Sequence, residues 1–87
     1  MITIQPTDAL LLVDVQNTFC PGGTLPVAEG DAVVPPLNAV MPLFSGQVYA
    51  SQDWHPANHV SFAAQGGIWP PHAVQGTADA ALHPDLD

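Results

Sequence analysis

The segment DALLLVDVQN, which runs from Asp8 to Asn17, decides the fold class of this chain. It is a short, continuous apolar run that follows Pro6 and ends in polar residues. This length and these flanks favour a β-strand buried on both faces, which is the pattern of strands in a parallel sheet. The segment therefore predicts an α/β fold.

The residues after this strand predict a loop and then a helix. CPGGTLPVAEG, from Cys20 to Gly30, contains a Pro-Gly pair that is typical of a tight turn. Asp31 is the expected helix N-cap, and Pro35 and Pro36 fall in the first turn, where proline is tolerated. Apolar residues then recur at helical spacing, at Val33, Val34, Leu37, Val40, Met41 and Phe44.

A second strand completes one βαβ unit. Ser45 and Gly46 are expected to end the helix, and QVYASQD, from Gln47 to Asp53, is predicted to be the strand. A strand, a helix and a strand in this order form a right-handed crossover. Beyond Trp54 the chain is predicted to be mostly loop, which usually marks a functional region. Two strands make a poor sheet by themselves, so residues 1–87 are expected to form a single, incomplete domain.

The composition excludes several classes of function. The chain has 8 acidic residues, no lysine or arginine and a formal charge of -8, which argues against binding to nucleic acid or to an anionic membrane. No apolar run is long enough to cross a bilayer, and the first residues lack the features of a signal peptide. A single cysteine cannot form an internal disulfide. We therefore expect a cytoplasmic protein.

The missing cations also constrain the carboxylates. A chain of this length ordinarily carries about 22 charged residues, roughly half of them basic. Without lysine or arginine, each carboxylate must pair with histidine, backbone N–H, metal or water. The composition leaves open whether the chain is an unusually acidic protein or one piece of a longer one.

Asp14 interrupts the apolar strand near its carboxyl end, where an unpaired carboxylate would be costly. One interpretation is that it accepts hydrogen bonds from the next loop and fixes that turn. The other is that it serves a ligand, because ligands of α/β proteins bind at the carboxyl edge of the sheet. The strand alone favours neither interpretation.

A cluster of histidines follows the second strand. Asp53 and His55 are two residues apart, so on extended backbone both side chains project to the same side. His59 lies four positions further on, and His72 belongs to a separate loop, WPPH. Carboxylate oxygen and imidazole nitrogen suit zinc, iron or manganese rather than calcium. Surface histidines in loops are the alternative, but their clustering beside a strand-end aspartate favours a metal site.

The remaining candidates are aromatic residues and the cysteine. Phe19 and Trp69 flank the loop region, and each could pack in a core or form the wall of a pocket for a small planar substrate. Phe62 is interpreted as a core residue. Cys20 has no nearby cation to lower its pKa and is interpreted as an ordinary thiol. His83 is assigned to a turn.

Three segments carry a resemblance to a known family. DALLLVDVQNTFCPGG, SQDWHPANHVSFA and WPPHAVQGTADAALHPDL resemble, in this order, the amino-terminal half of the nicotinamidases, which are isochorismatase-like cysteine hydrolases. The D-W-H-P-x-N-H-x-S-F stretch with W-P-x-H distinguishes nicotinamidases from isochorismatases and carbamoyl hydrolases, which lack this metal site. The resemblance implies a three-layer α/β/α parallel sheet, of which this chain supplies the first βαβ unit and the metal-site loops.

The resemblance also implies a metal site and a substrate. Asp53, His55 and His72 match the ligands of one divalent transition metal (Zn, Fe or Mn). His59 matches a position that binds the metal in some members and only lines the site in others. The implied substrate is nicotinamide, which would be converted to nicotinate and ammonia in the salvage of NAD.

The same comparison assigns roles in the chemistry. Asp14 matches the general base that acts on the nucleophilic cysteine, and Phe19 and Trp69 match aromatic residues that sandwich the pyridine ring. In the family the amide becomes a thioester, ammonia leaves, and water releases the acid.

The sequence departs from the family pattern in one respect. The family uses a lysine on the third strand and a cysteine after a later strand, whereas this chain has no lysine and its Cys20 lies elsewhere. We therefore expect the chain to be the first part of a nicotinamidase and to be inactive alone. The alternatives are a hydrolase for another small amide, such as pyrazinamide-like or carbamoyl compounds, and a metal-binding module without catalysis.

Overall fold

A computed structural model describes residues 2–87 and contains one parallel strand pair. Strand β1 (Leu10–Val13) pairs with strand β2 (Val48–Ser51), with Leu10 opposite Val48 and Val13 opposite Ser51. Helix α1 (Val34–Val40) lies between them in the chain, so the predicted βαβ order and α/β class are confirmed. Both strands are shorter than predicted. β1 stops at Val13 because Asp14 adopts the left-handed conformation, with φ 57°.

The start of the helix differs from the prediction. Asp31 is not the N-cap, because Gly30–Val33 forms a 3₁₀ turn and α1 begins only at Val34, after a residue with no capping side chain. Glu29, with φ 57°, precedes the 3₁₀ turn and places Asp31 inside it. The proline pair of the first turn lies where it was predicted.

The end of the helix follows the prediction more closely. After α1 the chain tightens into a 3₁₀ turn, Met41–Phe44. Pro42 explains the change, because it has no N–H to donate and its ring would clash with the carbonyl group four residues earlier in an α-helix. Ser45 and Gly46, with φ 49° and 80°, then end the helical segment, as predicted.

The core lies on one side of the sheet. Buried Leu12, Val15 and Val34 form its centre, and the partly buried residues packed against them are Leu10, Leu37, Met41, Val48 and Leu86. The expectation that β1 is buried on both faces is wrong, because Leu11 and Val13 remain 61% and 64% exposed. Alternate residues of a strand point to opposite faces, and within residues 2–87 only the face that carries Leu12 is covered.

The part of the chain after β2 is mostly loop, as predicted. Two short 3₁₀ turns, Ala63–Gln65 and Ala78–Ala80, interrupt it. Isolated bridges connect its segments, at Gln16 with Leu82, His55 with Val74, and Phe62 with Trp69. Phe62 is 1% exposed, so the prediction that it packs in a core is confirmed. None of the helices formed by residues 2–87 is long and apolar enough to cross a bilayer.

Gly67 should be intolerant of substitution. Its amide donates to the Phe62 carbonyl at 3.0 Å, and a Cβ at this position would overlap the Ser61 carbonyl group. We expect Gly67→Ala to lower the free energy of unfolding by about 1–3 kcal/mol, the usual cost of adding a methyl group to filled space. Thermal unfolding followed by circular dichroism measures this, with Ala64→Ser at an exposed position of the same loop as the control. Equal melting temperatures for the two variants would contradict the prediction.

Candidate metal centre

Three of the predicted ligands lie together beyond the end of β2. Asp53, His55 and His72 each offer a ligand atom, and these atoms lie within 4.8 Å of one another. The backbone brings the two segments together, because the His55 amide donates to the Ala73 carbonyl at 2.9 Å and the Gln75 amide donates to the His55 carbonyl at 2.8 Å. His72 is only 6% exposed, whereas the other two are half-buried. We call these three residues the metal group.

The imidazole hydrogen bonds suit metal binding. Nδ1 of His55 lies 3.0 Å from the His72 carbonyl oxygen, and Nδ1 of His72 lies 2.7 Å from the Pro70 carbonyl oxygen. A carbonyl oxygen only accepts, so both Nδ1 atoms donate, and in the neutral rings both Nε2 atoms carry a free lone pair. A metal-bound histidine typically has this arrangement. Two imidazole nitrogens and one carboxylate oxygen therefore fit a divalent transition ion.

Gln16 fixes the backbone of the candidate ligand Asp53, and sequence reasoning missed it. The side chain is fully buried, its Oε1 accepts from the Asp53 amide at 2.9 Å, and its Nε2 donates to the carbonyl groups of Asp53 and Ala80 at 2.9 and 2.8 Å. The side-chain amide of Gln16 thus pairs with the backbone of Asp53, two residues beyond the end of β2. An amide side chain directly after an apolar strand is the signal that could have indicated it.

His59 lies beside the metal group but is not a member of it. Its ring centroid is 4.5 Å from that of His55. Its Nδ1 accepts from the Ser61 amide at 3.2 Å and lies 2.7 Å from the Ser61 hydroxyl. Because a backbone N–H only donates, Nδ1 is unprotonated and the proton of the neutral ring is on Nε2. Its binding to a metal stays a prediction.

Asp14 lies at the carboxyl edge of the sheet, next to the end of β2. Its Oδ1 accepts from the Ser51 hydroxyl at 3.0 Å, and its amide donates to the Ser51 carbonyl at 3.2 Å. The hydrogen bond therefore comes from the neighbouring strand and not from the following loop. Asp14 also lines a cavity of about 220 Å³ whose other walls are largely apolar and include Phe19 and Val27. Left-handed backbone at a non-glycine residue often occurs at functional sites.

The two candidate pocket aromatics lie near His72. The ring centroids of Phe19 and Trp69 lie 6.1 and 6.4 Å from that of His72, each in an edge-on arrangement. Trp69 is 44% exposed. Phe19 lines the cavity that contains Asp14, and its ring also lies near His72 of the metal group. Their role as pocket walls stays a prediction.

Cys20 and His83 have the ordinary environments predicted for them. Burial, together with the negative charge of Asp31, raises the pKa of the Cys20 thiol, which is the opposite of what a nucleophile needs. His83 lies in a turn, where its Nδ1 accepts from the Asp85 amide at 3.1 Å. Its own amide donates to the Val15 carbonyl at 2.9 Å.

The geometry thus shows an α/β chain that carries a candidate metal group at the carboxyl edge of its sheet. Residues 8–87 match the isochorismatase domain, and the chain belongs to this family. It is 46% identical over 100 residues to the nicotinamidase of Escherichia coli strain K12, a match that covers 94% of this chain and 47% of that protein. The chain therefore spans about half the length of the curated relatives it matches.

Solved structures agree with this family. The L. infantum protein PnC1, in complex with nicotinate, is similar with a TM-score of 0.87 at 46% identity, covering 99% of this chain and 45% of that one. The pyrazinamidase of Pyrococcus horikoshii, in complex with zinc, is similar with a TM-score of 0.82 at 46% identity, covering 91% of this chain and 46% of that one. These values confirm the isochorismatase-like α/β fold predicted from the sequence.

Proposed function

We propose that this chain supplies the metal centre, the general base and part of the pocket wall of a nicotinamidase. The metal group carries the proposal, since both of its imidazoles present a free Nε2 beside a carboxylate. The similarity to the E. coli nicotinamidase and to a protein that binds nicotinate supports the choice of substrate.

Asp53, His55 and His72 would hold one divalent ion, which we propose to be zinc, iron or manganese. When bound, the ion supplies a Lewis-acid site for the ring nitrogen of the substrate. Phe19 and Trp69, whose rings both lie near that of His72, would contact the faces of the pyridine ring.

Asp14 would act as the general base at the other side of the pocket. It would take the proton from a cysteine thiol, whose sulfur attacks the amide carbonyl carbon. The C–N bond then breaks, the amide nitrogen takes the proton from Asp14 and leaves as ammonia, and water hydrolyses the thioester to nicotinate and the free thiol. Cys20 is unsuited as this nucleophile because burial raises its pKa, and the sequence contains no lysine. The proposal therefore requires a thiol and a cation from outside these 87 residues.

Ammonia release from nicotinamide tests the proposal. We expect none from the chain alone, and turnover when it is mixed with the part of the E. coli nicotinamidase that it does not match. His72→Ala should abolish that turnover, whereas His83→Ala, which removes an imidazole outside the metal group, should preserve it. Turnover by the chain alone that is lost in Cys20→Ala would make Cys20 the nucleophile and overturn this assignment of roles.

A parallel assay with pyrazinamide tests a second substrate. One curated relative, from Mycobacterium tuberculosis, is a nicotinamidase/pyrazinamidase, which favours this compound over other small amides. We expect the mixture to hydrolyse both amides, since both present a ring nitrogen and a carboxamide. Metal binding without turnover of either amide would support the non-catalytic module instead.

A further inference from the structure

The residue that follows His72 has a strained backbone. Ala73 is completely buried and has φ 47°, the left-handed region that an alanine rarely adopts. Such a conformation persists only where the surrounding structure determines it from several sides. Here the Ala73 carbonyl accepts from the His55 amide at 2.9 Å, and the Ala73 amide donates to both Asp79 and Thr18.

Asp79 is the centre of the contacts that hold this peptide. Its Oδ2 accepts from the Ala73 amide at 3.1 Å and from the Thr24 hydroxyl at 2.7 Å, while its Oδ1 accepts from the Thr24 amide at 3.1 Å. The carboxylate thus joins the loop after His72 to the loop after β1. The chain contains no lysine or arginine that could pair with it.

The protons of this network have one consistent arrangement. The ionised Asp79 carboxylate only accepts, so the Thr24 hydroxyl donates its single proton to it. The hydroxyl groups of Thr18 and Thr24 are 3.1 Å apart, so Thr18 donates to Thr24 and its own oxygen accepts from the Ala73 amide at 3.2 Å. Thr18 is fully buried. In this arrangement the chain of hydrogen bonds ends on carboxylate oxygens that only accept.

The electrostatics of Asp79 agree with this arrangement. Desolvation on burial acts to raise its pKa, but hydrogen bonds from the Thr24 hydroxyl and from the amides of Ala73 and Thr24 outweigh it and hold the pKa below its usual value. Hydrogen bonds to the charged form stabilise it, so the carboxylate stays ionised near neutral pH.

We propose that Asp79 is a positioning residue for the metal ligand His72. It holds the strained peptide that follows this histidine, while the Pro70 carbonyl accepts a hydrogen bond from Nδ1 of the imidazole. Asp79 itself is not a member of the metal group. This inference rests on the proposed metal centre, because its consequence is the placement of Nε2 of His72.

Zinc titration of the 87-residue chain by calorimetry tests the inference. In Asp79→Asn an NH₂ group replaces one of the two acceptor oxygens and faces a backbone N–H or a hydroxyl proton, from which it cannot accept. We therefore expect the zinc Kd to rise by about 10-fold to 100-fold, the usual effect of substituting a residue that supports a metal ligand. Asp31 and Asp79 both line a cavity of about 370 Å³, which does not include Asp14. Asp31→Asn removes an exposed carboxylate from this cavity and should leave the Kd unchanged.

A second pair of variants separates positioning from folding. Thr24→Val keeps the shape of the side chain and removes the hydroxyl group, so it should weaken zinc binding. Thr24→Ser keeps the hydroxyl group, so it should bind zinc as tightly as the unchanged chain. Melting temperatures without metal identify any variant that fails to fold. A folded Asp79→Asn or Thr24→Val chain that binds zinc as tightly as the unchanged chain would overturn the inference.

His72→Ala distinguishes this failure from failure of the metal centre. Loss of zinc binding in His72→Ala, with normal binding in Asp79→Asn, would reject only the role of Asp79. Unchanged zinc binding in His72→Ala would reject the metal centre itself and the positioning role with it.

Discussion

Replacing Asp53 and His72 together by alanine is expected to abolish the binding of a divalent transition metal to this chain. The double variant leaves His55 as the only member of the metal group. Substitution of a residue that only hydrogen-bonds to a metal ligand lowers the metal affinity by about 10-fold to 100-fold. Loss of two direct ligands should therefore lower it by more than about 100-fold. Elemental analysis of protein purified without added metal measures the content directly.

The matched control for this experiment is His83→Ala. It removes one imidazole from a turn outside the metal group, so it should retain the metal content of the unchanged chain. His59→Ala is a further comparison, because Nδ1 of His59 accepts from the Ser61 amide and the ring lies beside the group. Metal content that is unchanged in the double variant would show that the ion is bound elsewhere.

Asp14→Asn is expected to remove turnover and leave the metal in place. In the mixture with the complementary part of the E. coli nicotinamidase, we expect turnover to fall by about 10²–10⁴-fold, the usual contribution of general acid–base catalysis. Asparagine keeps an oxygen that can accept from the Ser51 hydroxyl, so the turn should persist. An amide group cannot take up the proton of a thiol.

The two strand-end aspartates should therefore respond differently. Asp53→Asn should lower the metal content first, with turnover falling in proportion, because Asp53 belongs to the metal group and Asp14 does not. Turnover per bound ion, measured for both variants, separates the two roles. An Asp14→Asn protein that loses its metal but keeps normal turnover per bound ion would show that the roles have been assigned wrongly.

Local patterns predicted the framework of the protein. An apolar run of strand length, helical spacing of apolar residues and turn residues at Ser45 and Gly46 are signals between near neighbours, and they were sufficient for the βαβ unit. Helix boundaries were less well predicted. Asp31 is a good N-cap residue type, but the left-handed Glu29 starts a 3₁₀ turn before it, and nothing in the residue types required that.

The candidate site was likewise predicted in part from local patterns. The spacing of Asp53 and His55 on an extended segment placed two candidate ligands on one side of the chain, and the clustering of histidines after this segment indicated His72. The sequence left open whether the side chain of Asp14 fixes a loop. Its hydrogen bond from Ser51, 37 residues away, depends on the pairing of β1 with β2.

Only the tertiary structure decided which side chains support the candidate ligands. Gln16 meets Ala80 across 64 positions of sequence, and the Thr18 hydroxyl meets the Ala73 amide across 55. Periodicity and spacing report on neighbours within a few residues, so they determined the strands, the helix and the candidate ligands. Polar groups in a folded interior must find partners wherever the chain brings them, and for that reason the roles of Gln16, Thr18 and Asp79 emerge only from the folded arrangement.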